Sequence, residues 1–320
     1  MSMHSNVIAP PFFCIVIPMH NKGPHVVRSI RSVLAQTFQD FEVIVVDDAS
    51  TDGGAEVVKS FNDSRIRLLH RSTPGPGGYA ARNLGTQQSR AEWVAFLDAD
   101  DEWTPEHLEN YARLIVDYPH AGVLGCGCDC FDPDEDPPRF VDAFYARYAD
   151  EGSRFLDFEQ YLVAEVSGRR PLNGSTACVR KDVLIAVGGF PAGKAKRGGD
   201  VDTWLRSIEN AGGLAWSNHV GAVYYRDAVN MVTKTSVHFA DCERASVSML
   251  LGKYRGQTAK LLKMFANRRT INAVGRSPLS AFQKVRYLGR TLYWTVALQS
   301  DLKLVLRALV SDSVIRRILR

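Results

Sequence analysis

Short apolar runs alternate with amphipathic stretches over the first hundred residues. Phe12 to Pro18 (FFCIVIP) is an apolar run bounded by prolines and predicts a buried strand. His25 to Gln36 carries Val26, Val27, Ile30, Val33 and Leu34 at helical spacing. Phe41 to Val46 (FEVIVV) predicts a second buried strand, rich in β-branched residues. The same reading gives a short helix over Ala55 to Phe61, a strand over Ile66 to Leu69, a helix over Tyr79 to Gln88 and a strand over Trp93 to Leu97. Thr104 before Pro105 and Glu106 predicts an N-cap with proline in the first helical position, on a helix reaching about Tyr118.

This strand–helix alternation predicts an α/β fold: a mainly parallel central sheet flanked by helices, with a Rossmann-like half suited to nucleotides. On such sheets ligands lie beyond the carboxyl ends of the strands. Asp47 and Asp48 follow the second strand, and Asp98, Asp100 and Asp101 follow the fourth, so both acidic clusters face one edge. The middle of the chain is less regular. It predicts an acidic, proline-rich loop over Asp132 to Pro138, a helix over Phe155 to Val166 and a strand over Gly174 to Val179. A short helix over Lys181 to Val187 should stop at Gly188 and Gly189, before a helix over Asp200 to Asn210 and a last strand over Ala222 to Tyr225. After residue 240 the pattern is helical and basic.

Composition narrows the class. Of 320 residues, 45% are hydrophobic and 23% charged, which excludes a largely disordered, collagen-like or disulfide-framework protein. Cys126, Cys128 and Cys130 alternate, so they share one face of a strand. With Cys14 and Cys178 in apolar runs, the cysteines read as buried reduced thiols rather than zinc ligands. No apolar stretch reaches the ~20 residues of a membrane span. The opening residues lack the basic start of a secretory signal, so a cytoplasmic location is expected. Charge is uneven: residues 1–240 hold 23 Lys and Arg against 31 Asp and Glu, a net −8, and residues 241–320 hold 16 against 4, a net +12. That step suggests a body over 1–240 and a basic helical extension over 241–320.

Four segments carry candidate chemistry. Asp98 and Asp100, one residue apart at a strand end, are hard oxygen ligands suited to Mg²⁺ or Mn²⁺. Asp47 or Asp48 can accept hydrogen bonds from a nucleobase or ribose, although Ser50, Thr51, Asp52 and Gly53 are also ordinary turn formers. Gly75-Pro76-Gly77-Gly78 precedes a helix and could present N–H groups to anions, without the Lys-Ser/Thr ending of a P-loop. Asp200 in GGDVDTWLR could be a general base, an N-cap, or both.

Together these segments resemble the family 2 glycosyltransferases, the inverting enzymes of the GT-A fold. The likeness runs through residues 14–54, ARNLG (81–85), EWVAFLDADDEW (92–103), STACVRKDVLIAVGGF (175–190) and GGDVDTWLR (198–206), covering roughly residues 12–227. The resemblance implies that Pro18, His20 and Asn21 line a nucleobase pocket and that Asp47 or Asp48 binds the base. Arg82 would lie near the nucleotide. Asp98 and Asp100 would be the DxD pair, holding ribose and Mn²⁺ or Mg²⁺. Asp200 would be the catalytic base, with Asp202 as the alternative. The implied reaction moves a sugar from a nucleotide-diphosphate donor, by family habit a UDP-sugar, to an acceptor hydroxyl, in surface polysaccharide or glycoconjugate synthesis. Two departures stand out: Gly199 replaces the glutamate common before the base, and no histidine follows the last predicted strand until His238. Two other classes stay open: a sugar nucleotidyltransferase, and a catalytically inactive nucleotide-sugar-binding homologue.

The basic extension lies outside the resemblance. Val305, Leu306, Leu309, Val310, Val314 and Ile315 form an apolar stripe, with Arg307, Arg316, Arg317 and Arg320 supplying charge. Such a helix suits the surface of an anionic membrane, packing on the body, or a second subunit in a homodimer. A glycan or lipid-linked acceptor is the expected partner besides the donor. Nucleic acid is not expected, because the body is acidic and lacks a basic–aromatic stacking motif.

Overall fold

The computed structural model describes residues 9–134, 139–229, 240–296 and 305. Its first half is built as the apolar periodicity requires. Strand β1 (Phe13–Met19) pairs in parallel with β2 (Phe41–Asp48) and β4 (Trp93–Phe96), and β2 pairs in parallel with β3 (Ile66–Arg71). Between them run α1 (Gly23–Leu34), α2 (Gly54–Lys59) and α3 (Tyr79–Gln88). Every residue of β2 is buried, as expected of a strand covered on both faces.

The second half is mixed. A two-residue β5 (Glu102–Trp103) leads to α4 (His107–Asp117) and the long β6 (Val123–Phe131). There follow β7 (Arg139–Val141), α5 (Ala143–Tyr148), β8 (Arg154–Asp157), α6 (Phe158–Ser167), β9 (Cys178–Arg180) and α7 (Lys181–Ala186). Then come α8 (Gly199–Asn210) and β10 (Gly213–Tyr225). The sheet runs β3-β2-β1-β4-β9-β6-β10-β5, with β7 beside β6 and β8 beside β10. β10 is parallel to β6, whereas β9 runs antiparallel to both β4 and β6, and β5 and β8 run antiparallel to β10. The parallel arrangement read from the sequence therefore describes the nucleotide-type half, and the far half is mixed.

Two apolar layers cover the faces. Phe13, Ile15 and Ile17 of β1 point to one layer, with Val26 and Ile30 of α1 and Leu108 and Tyr111 of α4. Cys14 and Val16 point to the other, with Phe96, Leu162 of α6 and Trp204 and Leu205 of α8. Gly85 lets α3 lie on the sheet: a Cβ there would come within 2.4 Å of Val16 Cγ1. Among the described residues, α9 (Asp241–Leu250), α10 (Gly256–Gly275) and α11 (Ala281–Thr291) follow residue 240. Val247 and Leu250 of α9 and Leu261, Leu262 and Phe265 of α10 belong to the same layer as Trp204. The basic extension is thus packed on the body's core through Ala266, each buried large side chain contributing about 1.5–3 kcal/mol, while Ile271 and Val274 form a separate cluster with Leu288 of α11 and Leu292. The apolar stripe from residue 306 onward lies outside the described residues.

Local boundaries differ in instructive ways. Thr104 does not cap α4; its hydroxyl lies 2.9 Å from His219 Nε2 and 3.1 Å from the Val220 carbonyl, so the helix begins at His107. Residues 154–157 form a strand before α6, not its first turn, and Asp157 supplies the cap through a capping box with Gln160. The last strand begins nine residues before the predicted Ala222, at Gly213. Its pairing with β6 shifts register at Ser217/Val220 and Val220/Ala222, which breaks the apolar pattern.

Candidate active site

A cavity of about 1230 Å³ opens at the carboxyl ends of β1, β2 and β4, where the strand order predicts a ligand. One end is made by the turns after β1 and β2. The Asn21 N–H donates to Ser50 Oγ at 3.0 Å, and Asn21 Oδ1 accepts from the Thr51 N–H at 2.8 Å. Asn21 and Ala49 hold φ of 51° and 58°, uncommon for residues with side chains and found where a site constrains the backbone. Pro18, His20, Asn21 and Asp48 line this end. Asp48 accepts from Arg71 and from the Gly75 N–H, fixing the Gly-Pro-Gly-Gly loop over the cleft. Asp47 is not on the cavity wall. It accepts from the Ser50 N–H at 3.0 Å and lies 3.1 Å from His70 Nδ1, holding the turn.

In the middle stand Asp98 and Asp100. Arg82, buried on α3, donates to Asp98 Oδ1 and to the Gly77 carbonyl. Burial pushes the Asp98 carboxyl up, and the Arg82 guanidinium opposes that. Asp100 Oδ2 accepts from Lys22 Nζ at 2.6 Å, and the same ammonium reaches the Val229 carbonyl at 2.5 Å. Asp101, next in sequence, turns inward. It accepts from the Ser175 hydroxyl and, at 3.1 Å, from the Tyr225 N–H, so it ties three segments together. Burial, then Asp100 and Asp98, hold its carboxyl well above the usual range. Ser175 also orients the strand end through the Asp98 N–H, and Gly174 gives Asp98 room, since a Cβ there would sit 3.2 Å from Oδ2.

At the far end Asp200 enters the cavity from the first turn of α8. It is not the N-cap: Gly198, at φ 80°, occupies that position. The Gly199 N–H donates to Tyr79 Oη at 2.9 Å. A Cβ at 199 would meet Pro191 Cγ at 2.7 Å and Tyr79 Cζ at 2.8 Å, so Tyr79 and Pro191 fill the space a longer residue would need. That is the physical reason for glycine here. Burial, with Asp200 close by, raises the Tyr79 hydroxyl above its ordinary value, keeping it protonated. Asp202 faces the other way. It is buried, pairs with Arg206 at 2.7 Å and accepts from the Ser246 hydroxyl, so it joins α8 to α9 and is absent from the cavity lining.

The structure therefore brings Pro18, His20, Asn21, Asp48, Arg82, Asp98, Asp100 and Asp200 around one cavity and leaves Asp47 and Asp202 outside it. Sequence reasoning missed Lys22, Tyr79 and a group of arginines beside Asp200: Arg170, Arg197, Arg269 and Arg276. The basic run KAKR before GGD signals Arg197. No local signal places Arg269 and Arg276, which arrive on α10. Cys126, Cys128 and Cys130 are buried in β6 as read. Among the described residues no group of three or more His, Cys, Asp or Glu could hold a metal, and no helix is long and apolar enough to cross a membrane.

Known proteins resemble this chain in sequence and in fold. The family described as Glycosyl transferase family 2 matches residues 14–164. Glycosyltransferase GlyG of Streptococcus pneumoniae is 37% identical over 158 residues, 49% of each chain. Glycosyltransferase AglE of Haloferax volcanii is 30% identical over 206 residues, 63% of this chain and 62% of that one. The chain thus spans about half to less than two thirds of the length of these curated relatives. In fold, it superposes on TarS of S. aureus, crystallised in complex with UDP-GlcNAc, with a TM-score of 0.71 over 96% of this chain and 92% of that one, at 18% identity. The sheet with its flanking helices is therefore a GT-A fold, and residues 14–164 are similar to glycosyl transferase family 2.

Proposed function

We propose that this chain is an inverting glycosyltransferase that moves a sugar from a UDP-type donor to an acceptor hydroxyl. One observation carries the reading: Asp200, Asp98, Asp100 and the base-end residues Asn21 and Asp48 line a single cavity. In the proposal the base lies between Pro18, His20 and Asp48, where Asp48 offers an acceptor to a nucleobase N–H. Asp98, held by Arg82, takes the ribose. Asp200 accepts the proton of the acceptor hydroxyl as that oxygen attacks the anomeric carbon and the nucleoside diphosphate departs. Tyr79 holds the backbone N–H of Gly199 and so sets the aim of Asp200. TarS in complex with UDP-GlcNAc supports uridine as the base.

The DxD pair fits a divalent ion by its donor chemistry. Two carboxylates at the cleft are the ligand number Mg²⁺ uses when waters and substrate phosphates complete the shell. Asp100 Oδ2 already holds a cation, the Lys22 ammonium, so that oxygen is poised for positive charge. A Mn²⁺ or Mg²⁺ on Asp98 and Asp100 would stabilise charge on the leaving diphosphate. Lys22 would then turn toward the donor phosphates or the Val229 carbonyl.

The test is product analysis. Protein incubated with UDP-GlcNAc or another UDP-sugar and Mn²⁺ should release UDP, with the transferred sugar carrying the opposite anomeric configuration in NMR spectra. Formation of nucleotide sugar from a sugar 1-phosphate and a nucleoside triphosphate, without UDP release, would replace this reading by nucleotidyl transfer.

A further inference from the structure

Beyond Asp200 the cleft continues into a second cavity of about 340 Å³, and the two share Asp142, Arg170, Arg269, Asn272 and Arg276 on their walls. Arg268 completes the second one. The residues of the base end, Pro18, Asp48, Arg82 and Asp98, do not reach it. Four arginines thus arrive from two places in the chain, the segment after α6 and the helix α10.

Their charge is only partly balanced. Glu165 lies 3.7 Å from Arg170. Buried Glu243 accepts from Arg269 Nε and Nη2 at 3.1 and 3.0 Å. Asp142 is consumed in capping α5, accepting from the N–H groups of Phe144, Tyr145 and Cys128. Arg268 donates to the Val166 carbonyl, which carries no charge, and Arg276 has no carboxylate partner among the described residues. Arg197, on the wall of the larger cavity, feels the crowding: burial and then Arg276 and Arg269 lower its affinity for its proton. Arg268 shares the Glu165 carboxylate with Arg170 and Arg269, so four guanidinium groups face this cavity against few carboxylates. Forked guanidinium groups suit the oxygens of a phosphate better than a neutral sugar.

We propose that this second cavity is an acceptor subsite for phosphate. On this view the acceptor carries a phosphomonoester or phosphodiester group, whose oxygens are taken by Arg276 and Arg268 while its hydroxyl lies toward Asp200. The inference rests on the glycosyl-transfer reading and names the acceptor class. It also gives the basic extension a role in the site, since α10 supplies both arginines.

The experiment is calorimetric titration of glycerol 3-phosphate, with glycerol as the uncharged control, into protein saturated with UDP and Mn²⁺. The wild type, Arg276→Gln and Arg268→Gln are compared at low salt. Arg276 is exposed at the end of α10, so its replacement leaves the fold intact, which circular dichroism checks. Saturable binding of glycerol 3-phosphate, weakened at least tenfold in Arg276→Gln with UDP affinity unchanged within twofold, is the expected result. Absence of binding by the wild type, or binding as tight as the wild type's in both variants, would overturn the subsite. Equal losses for UDP and glycerol 3-phosphate would also overturn it, by assigning the arginines to the donor diphosphate. A wild type that fails to bind UDP yet binds glycerol 3-phosphate through Arg276 would sink the glycosyl-transfer reading and leave the anion site standing.

Discussion

The two ends of the cleft are built differently. At the base end the carboxylates and their neighbours lie within a few positions of a strand, and only Arg82 comes from a helix, α3: Asp48 ends β2, Asp98 and Asp100 follow β4, and His20 and Asn21 follow β1. Parallel strands deliver their carboxyl ends to one edge, so chain position fixes spatial position. At the Asp200 end, the walls come from α8, from the segment after α6 and from α10, more than seventy residues further on. Chemistry at the first end is a property of local sequence. Chemistry at the second depends on how the C-terminal helices dock.

Breaking the second end should show that dependence, beginning with the largest effect. Asp200→Asn should lower the rate of UDP release by about 10²–10⁴-fold, the usual contribution of a positioned base, and leave UDP affinity unchanged. Asp202→Asn should instead lower stability through Arg206 and Ser246 with a far smaller loss of rate, which steady-state kinetics and urea titration separate. Glu243→Gln should destabilise by about 3–5 kcal/mol, because it leaves Arg269 buried beside a neutral amide, and the loss should appear in the urea midpoint. Gly199→Glu should cost about 1–3 kcal/mol by overpacking against Tyr79 and Pro191, without raising turnover. A variant with higher turnover would mean that Tyr79 yields and the acceptor end is more plastic than its packing implies.

The shared frame beneath both ends shows its effect only on acidification. His107 is fully buried, stacked on Trp103 at 4.1 Å, and burial followed by His219 lowers its pKa from 6.5 to about 3. The unfolded chain therefore binds one more proton between those values. Stability from this group is complete above pH 6.5 and is lost as pH falls toward 3, by about 1.4 kcal/mol per pH unit. His107→Phe should remove that share of the slope in urea unfolding between pH 6 and 4.

The same contrast explains what could be read from the chain. The strands β1, β2 and β4 and the positions of Asp48, Asp98, Asp100, Arg82 and Asp200 follow from periodicity and motif. Asp47 and Asp48 could not be separated, because neighbours on a strand point to opposite sides and only the register decides which one meets the cavity. Asp101 does line the cavity, but its partners, Ser175 and the Tyr225 N–H, lie 74 and 124 residues away and could not be read from the local sequence. Gly199 has a packing reason that its neighbours in sequence do not reveal, because Tyr79 and Pro191 fill the space a side chain would need. The arginines of α10 were legible only as composition, a net positive charge after residue 240, because their place in the site is set by packing of Leu261, Leu262 and Phe265 on the body.

On the proposed reading, one cavity binds a uridine nucleotide with metal on Asp98 and Asp100 and holds Asp200 ready for the acceptor. The most direct test is thermal stabilisation with UDP, GDP, CMP and dTDP, each with and without Mn²⁺, on the wild type and Asp100→Ala. Ligand at a hundred times its dissociation constant should stabilise the fold by about 2.7 kcal/mol. A Mn²⁺-dependent shift with UDP, absent in Asp100→Ala and retained in Asp200→Asn, is the predicted result. A wild type that stays folded and shifts with none of the four nucleotides would contradict the account.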